Sequence, residues 1–582
     1  MTLRYLLSGV LLGAFAAQAQ APVLPLSQIR PDQEGTARTV FRGEQVEEFP
    51  LRILGVMRNS GPGQSLILAR LLTERLEQTG VMQGMSGSPV FIEGKLAGAI
   101  AFSFPFAKEP IAGIRPIEEM LAIRSVNQPA ARVQAKIHLG SPQIAVGDSL
   151  PAQEPSQTVL TPVRLAGFGE RVLNHFADHW RRLGLVLQQG LSGSVPATGS
   201  NTVPPTVKGG DMIAVHLMRG DMVAGAEGTV THREGNRIYA FGHRFLAAGD
   251  VDFPFAKAEV LTPLPNYNSP FKISQSLGEA GAIRQDADAG IVGELGAKAR
   301  MIPVALRIDT PGGAQSYQVE MVRHAVLSPL LLQMSAFSAL DHLLQSVGEG
   351  TVEFAVDSKY SGDLPVLRAQ GRYAGDANLP LAASLSAAIP TAYVSQQMGS
   401  ALLPEAVTVS AKFLPERDQW AVEGLKLSRQ KVDPGDAVDI EISLVAGAKR
   451  QVLRESFRVP AWVPRGQTLT VSLQDALTAN LLDFRAFYQP GGPAFADAKE
   501  LIETLNRLHP AGKMYLRVLR SAPAYQSGVE EMANLPHSVA TLFQRQAGQY
   551  PAGLQAKLLD KEVSLPSGVG SGSRTATLEI EK

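Results

Sequence analysis

The run Gly84-Met85-Ser86-Gly87-Ser88-Pro89-Val90 sets a serine hydroxyl between two glycines, just ahead of an apolar strand. A serine that attacks a carbonyl needs an exposed Oγ. It also needs backbone N–H groups converging where an oxyanion forms. Gly84 and Gly87 remove the Cβ clashes that such a turn creates. The N–H groups of Gly84 and Ser86 are then the candidate oxyanion hole. Pro89 donates no ladder bond and suits the first position of a strand. That strand, Val90-Phe91-Ile92, is predicted to turn at Glu93-Gly94-Lys95 and to return over 96–102. Read for local structure alone, the same cluster is an ordinary turn.

A serine of this kind needs a base, and histidine is the usual one near neutral pH. His243, in Tyr239-Ala240-Phe241-Gly242-His243-Arg244-Phe245, stands at a strand end after a glycine. Scaffolds present reactive groups at such chain reversals. Asp250-Val251-Asp252 follows closely, and a carboxylate there orients an imidazole or caps a turn. The plain alternative for His243 is a hydrogen-bonded histidine in a half-buried strand end. His175 and His179 have the i, i+4 spacing of metal ligands on a helix, but no HExxH pattern or third ligand accompanies them. They read as a polar helix face. The second run, Gly190-Leu191-Ser192-Gly193-Ser194, continues into Val195-Pro196 and reads as a flexible connection. No metal and no cofactor is expected.

The elements that must carry these residues are mainly strands. Hydrophobic residues make up 45% of the 582 and charged ones 19%, which places the chain among folded, core-forming proteins. Lys+Arg and Asp+Glu are 54 each, so the footprint of a nucleic-acid binder is missing. There is no cysteine, which excludes disulfides, thiol catalysis and a lipidated cysteine. Residues 1–21 have the form of a secretory signal. Arg4 supplies the positive region, 6–17 the apolar region and Ala17-Gln18-Ala19 the cleavage site. No later run reaches the roughly 18 apolar residues of a spanning helix. The mature protein is therefore expected to be periplasmic or extracellular, without an integral membrane segment.

Apolar runs at 51–57, 65–69 and 90–102, bounded by Gly, Pro or Asn, predict strands in a block over 22–125. Residues 126–207 read as an insertion, with a Pro/Gln/Ser-rich stretch near 141–158, a helix over 171–183 and a linker from 190 to 210. Strands resume over 208–300, where 222–230 and 237–241 flank the turn Glu234-Gly235-Asn236. Residues 301–430 are expected to mix strands with one amphipathic helix near 328–347. Residues 431–582 read as a β-sandwich module. Val438, Ile440, Ile442 and Leu444 alternate, as do Leu469, Val471 and Leu473, and 576–580 closes the chain the same way. A helix over 496–507 interrupts that module.

Two stretches resemble the SpoIVB sporulation serine endopeptidases. Thr79-Gly80-Val81-Met82-Gln83-Gly84-Met85-Ser86-Gly87-Ser88-Pro89-Val90, with Gly94-Lys95-Leu96-Ala97-Gly98-Ala99, is similar to that family's nucleophile region. Gly228-Thr229-Val230-Thr231, then Tyr239-Ala240-Phe241-Gly242-His243 with Asp250-Val251-Asp252, is similar to its histidine region. Gly290-Ile291-Val292-Gly293-Glu294-Leu295-Gly296 resembles a glycine-rich strand of the same half. The resemblance implies a chymotrypsin-like double β-barrel that cleaves protein or peptide substrates, with Ser86 as nucleophile and His243 as general base.

Two departures stand out. The family's histidine half precedes its serine half, whereas here Ser86 comes first, so the halves read as circularly permuted. The family also places an aspartate shortly before the serine motif. The matching stretch, Leu71-Leu72-Thr73-Glu74-Arg75-Leu76-Glu77, offers Glu74 in preference to Glu77, with Asp252 or Asp250 as alternatives. No PDZ-type module is recognisable. The leading expectation is an exported serine endopeptidase, with the chain itself among its candidate substrates. The rivals are a catalytically inactive protease-fold scaffold and a structural envelope protein whose sandwich binds glycan.

Overall fold

The computed structural model describes residues 22–61, 63–104, 107–123, 135–137, 144–146, 161–190, 205–266, 270–344, 349–375, 379–487, 497–527, 530–533, 535–545 and 552–582. Residues 1–21, which read as a signal, residues 191–194 of the second serine run and all but 144–146 of the 141–158 stretch lie outside them. The fold is mainly β, as expected.

The first unit is a closed barrel. Its strands are β1 (Glu34–Arg42), β2 (Gln45–Gly61), β3 (Gln64–Leu71), β4 (Pro89–Ile92), β5 (Lys95–Ser103) and β6 (Ile111–Pro116), in the order β1-β2-β3-β6-β5-β4. Alternation drives the closure. Phe49, Leu51 and Ile53 of β2 face inward with exposed neighbours between them. They meet Ile67, Val90, Ile100 and Ile114 in one core. The β4–β5 turn has Glu93 and Gly94 at φ 50° and 75°, the pair of left-handed residues a two-residue hairpin demands. Helix α1 (Glu74–Thr79) leads into the serine turn, capped by the Thr73 hydroxyl, which accepts from Leu76 N–H at 3.3 Å. Helix α2 (Ile117–Leu121) follows β6.

After a short pair, β7 (Ala135–Ile137) and β8 (Ile144–Val146), comes a unit of β9 (Thr161–Ala166), helix α3 (Glu170–Arg182) and β10 (Leu185–Gln189). Next are β11 (Met212–Gly220), β12 (Val223–Glu234), β13 (Arg237–Ala240), β14 (Gly249–Leu264), β15 (Phe271–Ala287) and β16 (Gly290–Leu295). Neighbours run β12-β13-β16-β15-β14-β11, and β11 pairs back onto β12. These six strands thus close a second ring. The β9–α3–β10 block does not stand apart from it, because β9 pairs with β12 through Val223↔Ala166.

The same sheet continues through β17 (Met301–Thr310), β18 (Gly313–Val322), β19 (Gly350–Lys359), β20 (Leu367–Gly375) and β21 (Ala406–Leu414). Two helices pack on it, α4 (Leu327–Leu344) and α5 (Leu379–Met398). Helix α4 departs from the amphipathic expectation. Leu330, Leu331, Leu332, Met334, Phe337 and Leu340 are all buried, because the helix lies inside the main core with α3 and α5 against it. Among the described residues no helix is long and apolar enough to cross a membrane.

The C-terminal region is a two-sheet sandwich. One sheet orders Lys449–Arg458, Ala437–Ala446, Gln419–Leu427 and Val569–Ser571. The other is built on Ser573–Ile580, Thr468–Asp475 and Met514–Ser527. Val438, Ile440, Ile442 and Leu444 face Leu469, Val471 and Leu473 in its core.

The two rings meet at the serine turn. The Thr229 N–H of β12 donates to the Ser86 carbonyl at 2.7 Å, and the Thr231 hydroxyl donates to Gly87 O at 2.7 Å. Gln83 N–H donates to Pro270 O at 2.8 Å, just ahead of β15. Gly228 makes this approach possible, since a Cβ there would lie 2.5 Å from the Phe241 ring and 3.0 Å from Ser86 O. Replacing Gly228 by Ala should therefore destabilise the protein by about 1–3 kcal/mol through overpacking. Urea unfolding, followed by tryptophan fluorescence, checks this; an unchanged midpoint would contradict the tight packing.

Candidate active site

The serine turn is two successive four-residue turns. Met85 N–H donates to Met82 O at 3.0 Å, and Ser88 N–H donates to Met85 O at 2.9 Å. Each turn has a glycine at its third position, Gly84 at φ 90° and Gly87 at φ 92°, where a type II turn needs a left-handed residue. Gly87 is also fixed by space. A Cβ there would sit 1.9 Å from Thr229 O and 2.6 Å from Phe241 N. Its own N–H donates to Ile100 O of β5 at 2.7 Å.

This wiring determines which amides stay open. Met85, Gly87 and Ser88 N–H are all bonded, whereas among the described residues the N–H groups of Gly84 and Ser86 have no acceptor. A trans peptide holds its N–H opposite its C=O. Gln83 O accepts from Lys272 N–H at 3.3 Å, which turns Gly84 N–H away from β15. Met85 O accepts from Ser88 N–H, which turns Ser86 N–H away from the second turn. The Ser86 side chain is half-buried, and its hydroxyl has no hydrogen-bond partner among the described residues.

His243 lies on the loop between β13 and β14, and this loop packs on the hairpin that follows the serine. A Cβ on Gly242 would stand 3.2 Å from both Ala99 and Ala101 of β5. Arg115 Nε of β6 donates to Gly242 O at 3.2 Å. Ser86 and His243 therefore share the neighbourhood of Phe241, whose ring centroid is 5.9 Å from that of His243. Phe241 takes φ 70°, a strained value for an aromatic residue.

The loop is held by a residue the sequence reading missed. Buried Asp286 of β15 accepts from Phe245 N–H at 2.8 Å, Leu246 N–H at 2.6 Å and Ala248 N–H at 3.3 Å. Burial pushes its carboxyl up to about 6, against the pull of those three amides. In sequence, Gln285-Asp286-Ala287-Asp288 reads as turn chemistry and gives no sign of this role.

The structure accounts for the imidazole without a carboxylate. His243 Nδ1 lies 2.8 Å from the Arg244 carbonyl. A carbonyl only accepts, so Nδ1 carries the proton and Nε2 is left to receive one. Burial, with the Arg115 and Arg244 charges adding to it, lowers the His243 pKa to about 4, so the ring is neutral at pH 7. Asp252 is engaged elsewhere, with Arg284 and with Arg300 N–H at 2.8 Å. Asp250 is exposed at the start of β14, and Glu74 and Glu77 are exposed on α1. None of these four carboxylates hydrogen-bonds His243. His175 stacks on Phe337, with ring centroids 5.8 Å apart.

One cluster has the composition of a metal site. Ligand atoms of Asp483, His509 and Asp560 lie within 4.8 Å of one another. Cations already serve it: Arg517 pairs with Asp483 at 2.5 Å and Lys557 with Asp483 at 3.0 Å. It sits in the C-terminal region, away from the serine turn.

Residues 11–121 match the family model described as SpoIVB peptidase S55. The segment that carries Ser86 is thus similar to the SpoIVB peptidases, and the match supports a serine-peptidase function. It ends before His243. No curated protein and no solved structure matches the chain.

Burial also sets a pH dependence. His216, His243 and His324 all have pKa values lowered to about 4 by burial. The unfolded chain, with histidines near 6.5, binds more protons than the folded one between about pH 4 and 6.5. Stability from these groups therefore rises with pH across that window. Asp286, raised to about 6, and Asp211, also raised by burial, work the other way at low pH, against the histidines, to which His175 and His232, also lowered by burial, add. The urea midpoint should be higher at pH 7 than at pH 5, and a flat or falling midpoint would contradict the three neutral rings.

Proposed function

We propose that the protein is an exported serine endopeptidase in which Ser86 is the nucleophile and His243 the general base. The observation that carries this reading is the pair of open amides at Gly84 and Ser86, on a turn whose other N–H groups are tied. The family match over the serine segment and the signal-like N-terminus agree with it. Ser86 Oγ attacks the carbonyl of a peptide bond while His243 Nε2 takes its proton. The Gly84 and Ser86 N–H groups receive the oxyanion. His243 then gives the proton to the leaving amine, and water attacks the acyl-enzyme by the reverse route. The serine half precedes the histidine half in the chain, in the permuted order, which this geometry tolerates.

The Arg244 carbonyl takes the place usually held by an acid. It fixes the tautomer, as an aspartate does, but brings no negative charge to stabilise the imidazolium. The nearby Arg115 opposes that cation further. Loss of the orienting acid in a triad costs on the order of 10⁴ in turnover, so a slow enzyme is expected. The second reading is an inactive protease-fold scaffold. The Ser86 hydroxyl without a hydrogen-bond partner favours it, although such bonds often tighten only on substrate binding.

Fluorophosphonate labelling of the full-length protein separates the two. Wild type should label and Ser86→Ala should not, with His243→Ala slower by at least about 10²-fold. Folded wild-type protein that never labels would establish the scaffold reading.

A further inference from the structure

Lys272 of β15 is fully buried, yet no carboxylate lies within salt-bridge reach of it among the described residues. Its ammonium crosses from the second ring to the first. Nζ donates to Thr39 Oγ1 of β1 at 2.7 Å and to Gly84 O at 3.4 Å. It also stands 5.7 Å over the Phe41 ring. Gly84 O accepts a second bond, from Thr229 Oγ1 at 2.9 Å. Buried hydroxyls continue the network, with Thr39 3.4 Å from Thr229 and Ser88 3.5 Å from Thr229. The side chain touches the turn as well. A Cβ on Gly84 would lie 3.4 Å from Lys272 Cδ. The same residue's backbone N–H binds Gln83 O, so Lys272 holds the peptide on each side of Gly84.

Burying an ammonium without an ion-pair partner is costly. Burial lowers its pKa to about 7. The charges that face it are Glu227 of β12, which is paired with Arg164 of β9, and Glu47 of β2, which is paired with Arg75 of α1. An apolar residue would fill this site at less cost, so the cation calls for a use.

We propose that Lys272 is a positioning residue for the serine turn: its ammonium, shared between Thr39 Oγ1 and the Gly84 carbonyl, locks the Gly84–Met85 peptide, which joins the two planes that carry the Gly84 and Ser86 N–H groups. The catalytic meaning of this lock rests on the peptidase reading; the lock itself does not. Rotation of the Gly84–Met85 peptide would break both bonds to Gly84 O and the Met85 N–H bond to Met82 O. The charge resists that rotation, because bonds to an ionised donor are the stronger kind.

The test is hydrogen–deuterium exchange of the 82–90 segment in the full-length protein, wild type beside Lys272→Met. Fluorophosphonate labelling is run on the same samples between about pH 6 and pH 9. Methionine keeps the apolar stem and removes the ammonium. The Met85 amide, which loses its bond to Met82 O, should exchange roughly tenfold faster or more in the variant, while the β2 and β3 amides keep their wild-type rates. Ser86 labelling should slow by about 10²-fold, the scale of a lost oxyanion donor. In wild type, labelling should weaken as pH rises past about 7 and Lys272 loses its proton, a limb the variant lacks. Unchanged protection of 82–90 in folded Lys272→Met overturns the proposal, as does faster exchange spread evenly over both rings. Should Lys272→Met fail to fold, Thr39→Val removes the acceptor, keeps the cation and decides by the same exchange readout. A wild type that never labels sinks the peptidase reading alone, since the exchange comparison still decides what Lys272 does.

Discussion

The close approach of β12 to the serine turn is the constraint on which the site depends. Thr229 N–H, Thr229 Oγ1 and Thr231 Oγ1 bind three carbonyls of that turn, those of Ser86, Gly84 and Gly87. Backbone crowds Gly87, and the Phe241 ring and Ser86 O crowd Gly228, so neither has room for a side chain. The turn is therefore not a local motif that happens to face a second unit. Its peptide planes are set from across the junction, and the open amides follow from how the other polar groups are satisfied. A turn of the same sequence without the second ring would lose these partners and gain solvent.

The electrostatics of the histidine loop follow the same logic. Asp286 gathers three loop amides from beneath and leaves the imidazole to its own neighbour's carbonyl. That choice keeps His243 neutral and correctly protonated at rest. It also withholds the negative charge that would favour the imidazolium during reaction. Under the proposed mechanism this geometry gives a neutral base that gains little from taking the proton. On the proposed peptidase reading, slow turnover is the expected consequence.

Much of this was legible in the sequence where local chemistry dictates structure. The β4–β5 hairpin followed from Glu93-Gly94, and the serine turn from glycines at fixed offsets. Helix α3 followed from its pattern, over nearly the range observed. The alternating runs after 437 gave the sandwich. Helix α5 escaped because Pro390 interrupts it and small apolar residues cover it all round, so no period emerges. Lys272 escaped because a lone lysine in a strand reads as a solvated charge. The carboxylates that sequence offers as an orienting acid, Glu74, Glu77, Asp250 and Asp252, lie near the motifs in the chain. A backbone carbonyl leaves no trace in residue types. The closure of β11 on β12 is likewise a matter of register, which tertiary packing sets.

The most direct test of the account is a crystal structure of the protein phosphonylated by a peptidyl phosphonate. The phosphonyl oxygen stands where the oxyanion forms. The account predicts that it lies about 2.7–3.1 Å from the nitrogens of both Gly84 and Ser86, with the Thr229–Ser86 bond intact and His243 Nε2 turned toward the Ser86 oxygen. A phosphonate attached to another residue would contradict it. So would an oxygen facing solvent, or a turn that must release Thr229 to accept the adduct.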